Sequence, residues 1–312
     1  MVTSIYYHSE YEITGYPVLK GRLAPAYIFL QDFIQEHCNQ NQIVFKIPGP
    51  VNSDLLKRVH TERHIGVVKA SGFYPSAILS AGAAVEAAEE VWKEKYDNTF
   101  VFTGTAGHHA SRDHAWGFCY FNNTALAVEN LLQKMGLKRF TVVDTDPHPG
   151  DGTQDCLRDK HGFQHFNFQS YGTISRVGNI WDIGLPSYCD DDSFLLAIEA
   201  IIPEITKFAP EILIWNLGHD AHIDDYGGFH LSIHAFPRMC EHLMKVADEV
   251  CNGKLLVFLS GGSEPNIAKY SITSIVAKLC GCSQALEIPE EPTSPNDRML
   301  HEVKGILREL GI

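Results

Sequence analysis

Residues 140-FTVVDTDPHPGDG-152 join a short apolar run to a turn loaded with acids and a histidine. The run FTVVD reads as a buried parallel strand, because it is apolar, β-branched and bounded by turn residues. Side chains two apart on an extended chain share a face, so Asp144, Asp146 and His148 can converge before Gly150 turns the chain away. Two carboxylates and an imidazole on one face are costly unless positive charge sits among them. For this segment alone, an Asp-rich turn leading into a helix is the competing reading.

Working outward, three more apolar runs end the same way. The run 99-TFVFT-103 leads into GTAGHHAS, 211-EILIWNL-217 into GHDAHIDDYGG, and 254-KLLVFL-259 into SGGSEPN. Between them lie stretches with helical spacing: 75–95, opening on a proline and rich in alanine and glutamate, 122–136, opening on an Asn and stopping at Gly136, and 193–209. Strand alternating with helix implies an α/β fold: one three-layer α/β/α domain around a central, mostly parallel sheet. Ligands of such sheets gather at the carboxyl ends of the strands, where these four loops deliver His, Asp and Glu to one rim. The expected division is a catalytic domain over residues 1–280. A Pro- and Glu-rich connector and a last amphipathic helix over 281–312 then pack on the same domain.

Composition narrows the function. The chain has 312 residues, 45% hydrophobic and 20% charged, an ordinary balance for one large globular domain. Its apolar runs are too short to span a bilayer, and the N-terminus lacks a basic segment followed by an apolar one, so a cytoplasmic address is the expectation. A net charge of −13 disfavours nucleic acid and favours cationic partners. Eight cysteines without a CxxC pair are expected to be reduced, mostly buried thiols; the CxC at Cys280 and Cys282 is a weak metal signal without a second pair. Oligomeric state leaves no signature.

The segment 218-GHDAH-222 changes the weight of the Asp-rich turn, since a second strand end supplies another Asp-x-His. Two Asp and one His with a position left open for water form a catalytic metal set suited to zinc. Beside a metal-bound water, the pair His108–His109 gains a role: one neutral imidazole accepts a proton while the other, charged, supports the oxyanion or protonates the leaving amine. Each needs a carboxylate to fix its tautomer, and Asp144 and Asp151 are both unspent.

In order along the chain stand 107-GHHA-110, 117-GFCYFNN-123, 144-DTDPHPGDGTQ-154, 218-GHDAH-222 with 227-GGF-229, and 260-SGG-262. From roughly residue 15 to 280 the sequence resembles the histone deacetylase family, which includes acetylpolyamine amidohydrolases and belongs to the arginase-deacetylase superfamily. The resemblance implies an arginase/deacetylase-like sandwich and zinc bound by Asp146, His148 and Asp220, with His108 paired to Asp144 and His109 to Asp151. It also implies a structural potassium ion touching Asp144, Asp146 and the His148 carbonyl. Gly117 would receive the acyl amide N–H on its carbonyl, Phe118 and Tyr171 would wall an acyl-lysine tunnel, and Arg22 would stand at the tunnel's foot. The implied activity is zinc-dependent hydrolysis of a linear amide on an acylated lysine peptide or small acylamine.

The pattern breaks at the glycine run and beside Asp220. Family members end the glycine run with an oxyanion-stabilising tyrosine, where this chain has 260-SGGSEPN-266 and so Glu264 or Pro265. An ionised Glu264 would repel the oxyanion, which makes Tyr226 the expected donor and sends Glu264 toward the pocket mouth. His219, before Asp220, stands where the family has an apolar residue. These departures keep open a hydrolase of acylpolyamines or other acylamines, with Glu264 meeting an ammonium group, and a silent acyl-lysine binder. Arginase chemistry wants a two-metal Asp-x-His-x-Asp motif, and 146-DPHPGD-151 has its second Asp one place too far.

Overall fold

Nine strands form one sheet in the computed structural model, which describes residues 1–170, 172–289, 291 and 296–312. They are β1 (Thr3–Tyr6), β2 (Ile43–Lys46), β3 (Asn98–Val101), β4 (Phe140–Asp144), β5 (Phe163–Ser170), β6 (Ile174–Val177), β7 (Ile180–Leu185), β8 (Ile212–Leu217) and β9 (Leu255–Leu259). Their spatial order is β2-β1-β3-β9-β8-β4-β5-β7-β6. Only the β6–β7 pair at one edge is antiparallel. The four strands whose ends carry the polar loops, β3, β9, β8 and β4, are therefore consecutive at the centre, although β3 and β9 are far apart in sequence.

The period of two along each strand sorts its side chains between two cores. Ile212 and Ile214 of β8 face one side with Val142, Leu256 and Phe258. Leu213 and Trp215 face the other with Val143 and Val257. The first core is covered by the helices Tyr74–Trp92 and Asn123–Lys134; the second by Leu23–His37, Asp191–Phe208, Ala235–Cys251, Pro265–Leu279 and Asp297–Leu310. This is the three-layer α/β/α arrangement in one domain. No helix among the described residues is long and apolar enough to cross a membrane.

Alanines let the helix Tyr74–Trp92 lie close to its neighbours. A Cβ on Gly82 would stand 2.0 Å from the Gly49 carbonyl oxygen, so that contact admits only glycine. The terminal helix Asp297–Leu310 opens on Asn296, whose side chain accepts from the Arg298 and Met299 amides, and it buries Val303, Ile306, Leu307 and Leu310. It packs on Asp191–Phe208 and β7.

One sequence expectation is corrected here. Cys38, after the helix Leu23–His37, and Cys282, after Pro265–Leu279, are joined in a disulfide with a Cα separation of 5.1 Å, so not all cysteines are reduced thiols. The packing of those two helices brings together cysteines 244 residues apart in sequence. Cys282 is thereby spoken for, and Cys280 is buried and free, so the CxC pair does not act as a metal clip.

Candidate metal centre

Strand register levels the loop ends. Asp144 closes β4 opposite Asn216 of β8, and Leu217 closes β8 opposite Leu259 of β9. One step beyond, Asp146, His148 and Asp220 bring one donor atom each within 4.8 Å of one another. His148 Nδ1 lies 2.9 Å from Asp146 Oδ1 and 3.1 Å from Asp220 Oδ2. Backbone geometry reserves the space. A Cβ on Gly261 would stand 2.4 Å from Asp220 Oδ2 and 2.5 Å from Asp146 Oδ2, and one on Gly218 would stand 2.5 Å from Asp220 Oδ1.

Three observations test whether this set fits a zinc ion. Asp220 is fully buried, and among the described residues neither carboxylate oxygen receives a hydrogen bond, its close neighbour being the His148 imidazole at 3.1 Å. A carboxylate so placed is costly without a cation. Donor separations near 3 Å suit a tetrahedral site, where bonds of about 2 Å put neighbouring donors about 3.3 Å apart. The charges agree: burial lifts Asp220 to about 7, with the neighbouring Asp146 charge adding to it. Burial works against a charge on His148, yet its contacts with Asp146 and Asp220 lift it to about 11, so that a proton supplies the positive charge the carboxylates demand. The residues fit the metal.

The histidine pair leaves β3 and is fixed from two sides. Thr153 donates its amide to the His108 carbonyl at 2.9 Å. Asn122 donates Nδ2 to the Ala110 carbonyl at 3.1 Å while its Oδ1 accepts from the Ala125 amide at 2.8 Å, capping the helix Asn123–Lys134. His108 Nδ1 meets Asp144 Oδ2 at 3.1 Å, and that oxygen also accepts from Asn216 Nδ2 at 3.0 Å. His109 Nδ1 meets Asp151 Oδ1 at 3.0 Å. The two rings sit 3.9 Å apart, centroid to centroid. Their environments split them. Burial opposes a charge on His108, but the Asp146 and Asp144 charges outweigh it and lift the imidazole to about 9. Burial and then the His108 charge push His109 down to about 4. The surroundings thus favour the charged form of His108 and the neutral form of His109.

A pocket of about 200 Å³ opens over these groups, lined by His108, His109, Trp116, Gly117, Phe118, Asp146, His148, Asp220, Tyr226 and Gly261. It is smaller than the ~300–1,000 Å³ common for drug-sized ligands and suits a slender chain. Gly117 and Phe118 both have positive φ, 57° and 66°. That is routine for glycine and strained for a phenylalanine, and it turns the Phe118 ring to the wall, stacked on Tyr16 at 4.4 Å.

Tyr226 also lines the pocket, with its ring 5.7 Å from that of His148. Its hydroxyl oxygen accepts the Gly262 amide at 3.0 Å, which leaves the phenolic hydrogen free. Burial, and then the Asp220 and Asp146 charges, raise its pKa and keep it protonated. Asp225 ties this loop to the one after β9: its Oδ2 accepts the Ser263 amide at 2.8 Å and the Glu264 amide at 3.1 Å.

Three of the expected residues do not line the pocket or lie outside the described residues. Glu264 is exposed at the start of the helix Pro265–Leu279 and lines no part of the pocket. Counting residues past the glycine run led to it, but Asp225 pins its backbone and the side chain points to solvent. Arg22 is fully buried behind the pocket: it donates Nη1 to His219 Nε2 at 2.8 Å and to the Gly261 carbonyl, and Nη2 to the Ser260 carbonyl. That bond accounts for His219, which accepts from a guanidinium and is held neutral by burial and the Arg22 charge. Tyr171 lies outside the described residues. Sequence reasoning also missed Trp116, which touches His109 and Asp151; its one signal is its place before Gly117.

A parallel-sheet α/β protein carrying one Asp-His-Asp metal set and a histidine pair at its central strand ends is the class defined by this fold and site. The histone deacetylase domain matches residues 21–279, and the chain belongs to that family. A probable deacetylase of Archaeoglobus fulgidus is 28% identical over 93% of this chain and 90% of its own length. Histone deacetylase 18 of Arabidopsis thaliana is 30% identical over 74% of this chain, and polyamine deacetylase HDAC10 of Danio rerio 27% over 80%. The chain spans only 39% and 38% of those two proteins. The solved HDA15 HD domain has the same fold, with a TM-score of 0.83 at 22% identity over 99% of this chain and 95% of that one.

Proposed function

We propose that this chain is a zinc-dependent amide hydrolase that removes an acyl group from an acylated lysine or a small acylated amine. The observation that carries this reading is the buried Asp220 carboxylate, which has no hydrogen-bond donor among the described residues and faces the same pocket as the His108–His109 pair. Asp146, His148 and Asp220 would hold the zinc, which supplies Lewis acidity and makes water a nucleophile at neutral pH. His109, neutral and with Nδ1 engaged by Asp151, offers Nε2 as the base that takes the proton from water. His108, charged and anchored on Asp144, donates toward the developing oxyanion or the leaving amine. Tyr226 offers its free phenolic hydrogen to the same oxyanion, in place of the tyrosine that relatives carry after the glycine run. The Gly117 carbonyl accepts the amide N–H and Phe118 walls the acyl chain. A structural potassium ion at Asp144, Asp146 and the His148 carbonyl belongs to this proposal as well.

Both lysine and polyamine carriers agree with a pocket this narrow, and the net charge of −13 favours cationic ones. With Glu264 outside the pocket, ammonium recognition by that residue is withdrawn. The test is acetate release by zinc-supplemented protein from an acetyl-lysine peptide and from acetylated polyamines. Turnover on either supports the reading, and the ratio of kcat/KM values assigns the carrier. Tight binding of a hydroxamate with no acetate released from any substrate would make the protein a silent binder.

A further inference from the structure

We propose that Trp116 is a positioning residue that clamps the His109–Asp151 pair; this rests on the base role of His109 given above. The indole touches both partners. Its face stacks on the His109 imidazole at 3.6 Å between centroids and 26° between planes. Its Nε1–H donates to Asp151 Oδ2 at 2.9 Å, while Oδ1 of the same carboxylate receives His109 Nδ1 at 3.0 Å. The three side chains form a closed ring of contacts.

A clamp is needed because one hydrogen bond does not fix an imidazole. The ring can turn about its bond to Cβ, and the Asp151 side chain is 43% exposed, so water competes for its oxygens. The indole hydrogen fixes the plane of the carboxylate, and the indole face covers one side of the imidazole. His108 bounds another side at 3.9 Å, and at Gly117 a Cβ would come within 2.3 Å of His109 Cδ2. With Nδ1 bound and the ring bounded by the indole, by His108 and at Cδ2 by Gly117, its freedom to turn about the bond to Cβ is small. Groups of this kind, which orient a reacting histidine through its carboxylate, commonly change activity by about 10- to 100-fold when lost.

Core packing does not explain this tryptophan. It is 43% exposed and belongs to neither of the two large apolar cores, nor to the small cluster of Leu19, Ala106, Ala110 and Cys119 beside it. A wall residue alone would need the indole face but not the Nε1–H bond. The two contacts come from one side chain and meet at one dyad.

The experiment uses the full-length, zinc-supplemented protein and three variants: Trp116→Phe, which keeps a stacked ring and loses the N–H, Asp151→Asn, and the double variant. The Trp116 indole resonance is the one of the four tryptophan signals that disappears in Trp116→Phe. It is expected to shift upfield in Asp151→Asn as its charged acceptor is lost. On an acetyl-lysine peptide, Trp116→Phe is expected to lower kcat about tenfold with KM within twofold of wild type, at unchanged zinc content and melting temperature. In the Asp151→Asn background that loss should vanish, because the indole acts through the carboxylate. An indole resonance unmoved by Asp151→Asn overturns the clamp, as does an unchanged kcat with a raised KM, which would leave Trp116 as a wall. Wild-type protein inert on every acylamine would refute the hydrolase reading instead, and the resonance would then decide the clamp alone.

Discussion

Replacing Tyr226 with phenylalanine removes the hydroxyl group from the pocket while keeping the ring that lines it. The hydroxyl accepts from the Gly262 amide and has no acceptor of its own among the described residues, so its hydrogen is available to an oxyanion over the metal set. Burial and the Asp220 and Asp146 charges keep the phenol protonated, so the donor is present throughout the working pH range. Losing one preorganised oxyanion donor costs about 2.7–4 kcal/mol, or about 100- to 1,000-fold in kcat. Tyr226 is 43% exposed, and partial access of water puts the expected loss at the lower end, about 100-fold. KM should change little, because the bond strengthens only as charge develops on the oxygen. The Gly262 amide loses its acceptor but can turn to water, so stability should fall by no more than about 1 kcal/mol. Steady-state acetate release from an acetyl-lysine peptide gives kcat and KM, and a melting curve controls for folding. Glu264→Gln, made in parallel, should stay within twofold of wild type, since that side chain faces solvent. Full activity in Tyr226→Phe with an inactive Glu264→Gln would reverse the two roles and refute the reasoning.

Three other outcomes are expected. His109→Ala should lower kcat at least 100-fold while zinc content stays at the wild-type level, because the imidazole acts as base and not as ligand; a loss under tenfold would make the pair structural. Activity should fall on the alkaline side as His108 gives up its proton, and Asp144→Asn should move that limb to lower pH, since the Asp144 carboxylate helps hold the proton on the imidazole. An alkaline limb unmoved in Asp144→Asn would assign it to another group. Gly261→Ala should abolish zinc retention in an otherwise folded protein, as its Cβ would stand 2.4 Å from Asp220 Oδ2, and equilibrium dialysis with zinc checks it.

The parts of the fold legible in the sequence are those with one dominant physical cause. β3, β4, β8 and β9 are buried along their whole length, so their runs are dominated by apolar residues and their ends are abrupt. β5 is equally buried but reads FQHFNFQS, with polar residues whose partners no local pattern shows: Asn167 donates to Asp182 at 2.8 Å and accepts the Gly150 amide at 2.9 Å. β6, at the sheet edge, is largely exposed and carries no apolar signal. The metal donors and the histidine pair were legible because they sit on three tight loops whose spacing sets the geometry. The direction of Glu264 has no such local signal, because its backbone is held by Asp225, a residue on another loop. The Cys38–Cys282 disulfide and the Trp116 contact are likewise tertiary facts with no local trace.

Everything in the site is arranged about the charge that Asp146, His148 and Asp220 share. The most direct test is elemental analysis of purified wild-type protein and Asp220→Ala after equilibration with zinc and removal of the excess. About one zinc per chain is expected in the wild type and almost none in the variant, with hydroxamate binding lost alongside it. Full zinc occupancy in Asp220→Ala, or a wild-type chain that takes up no metal, would contradict the metal centre and the hydrolase built on it.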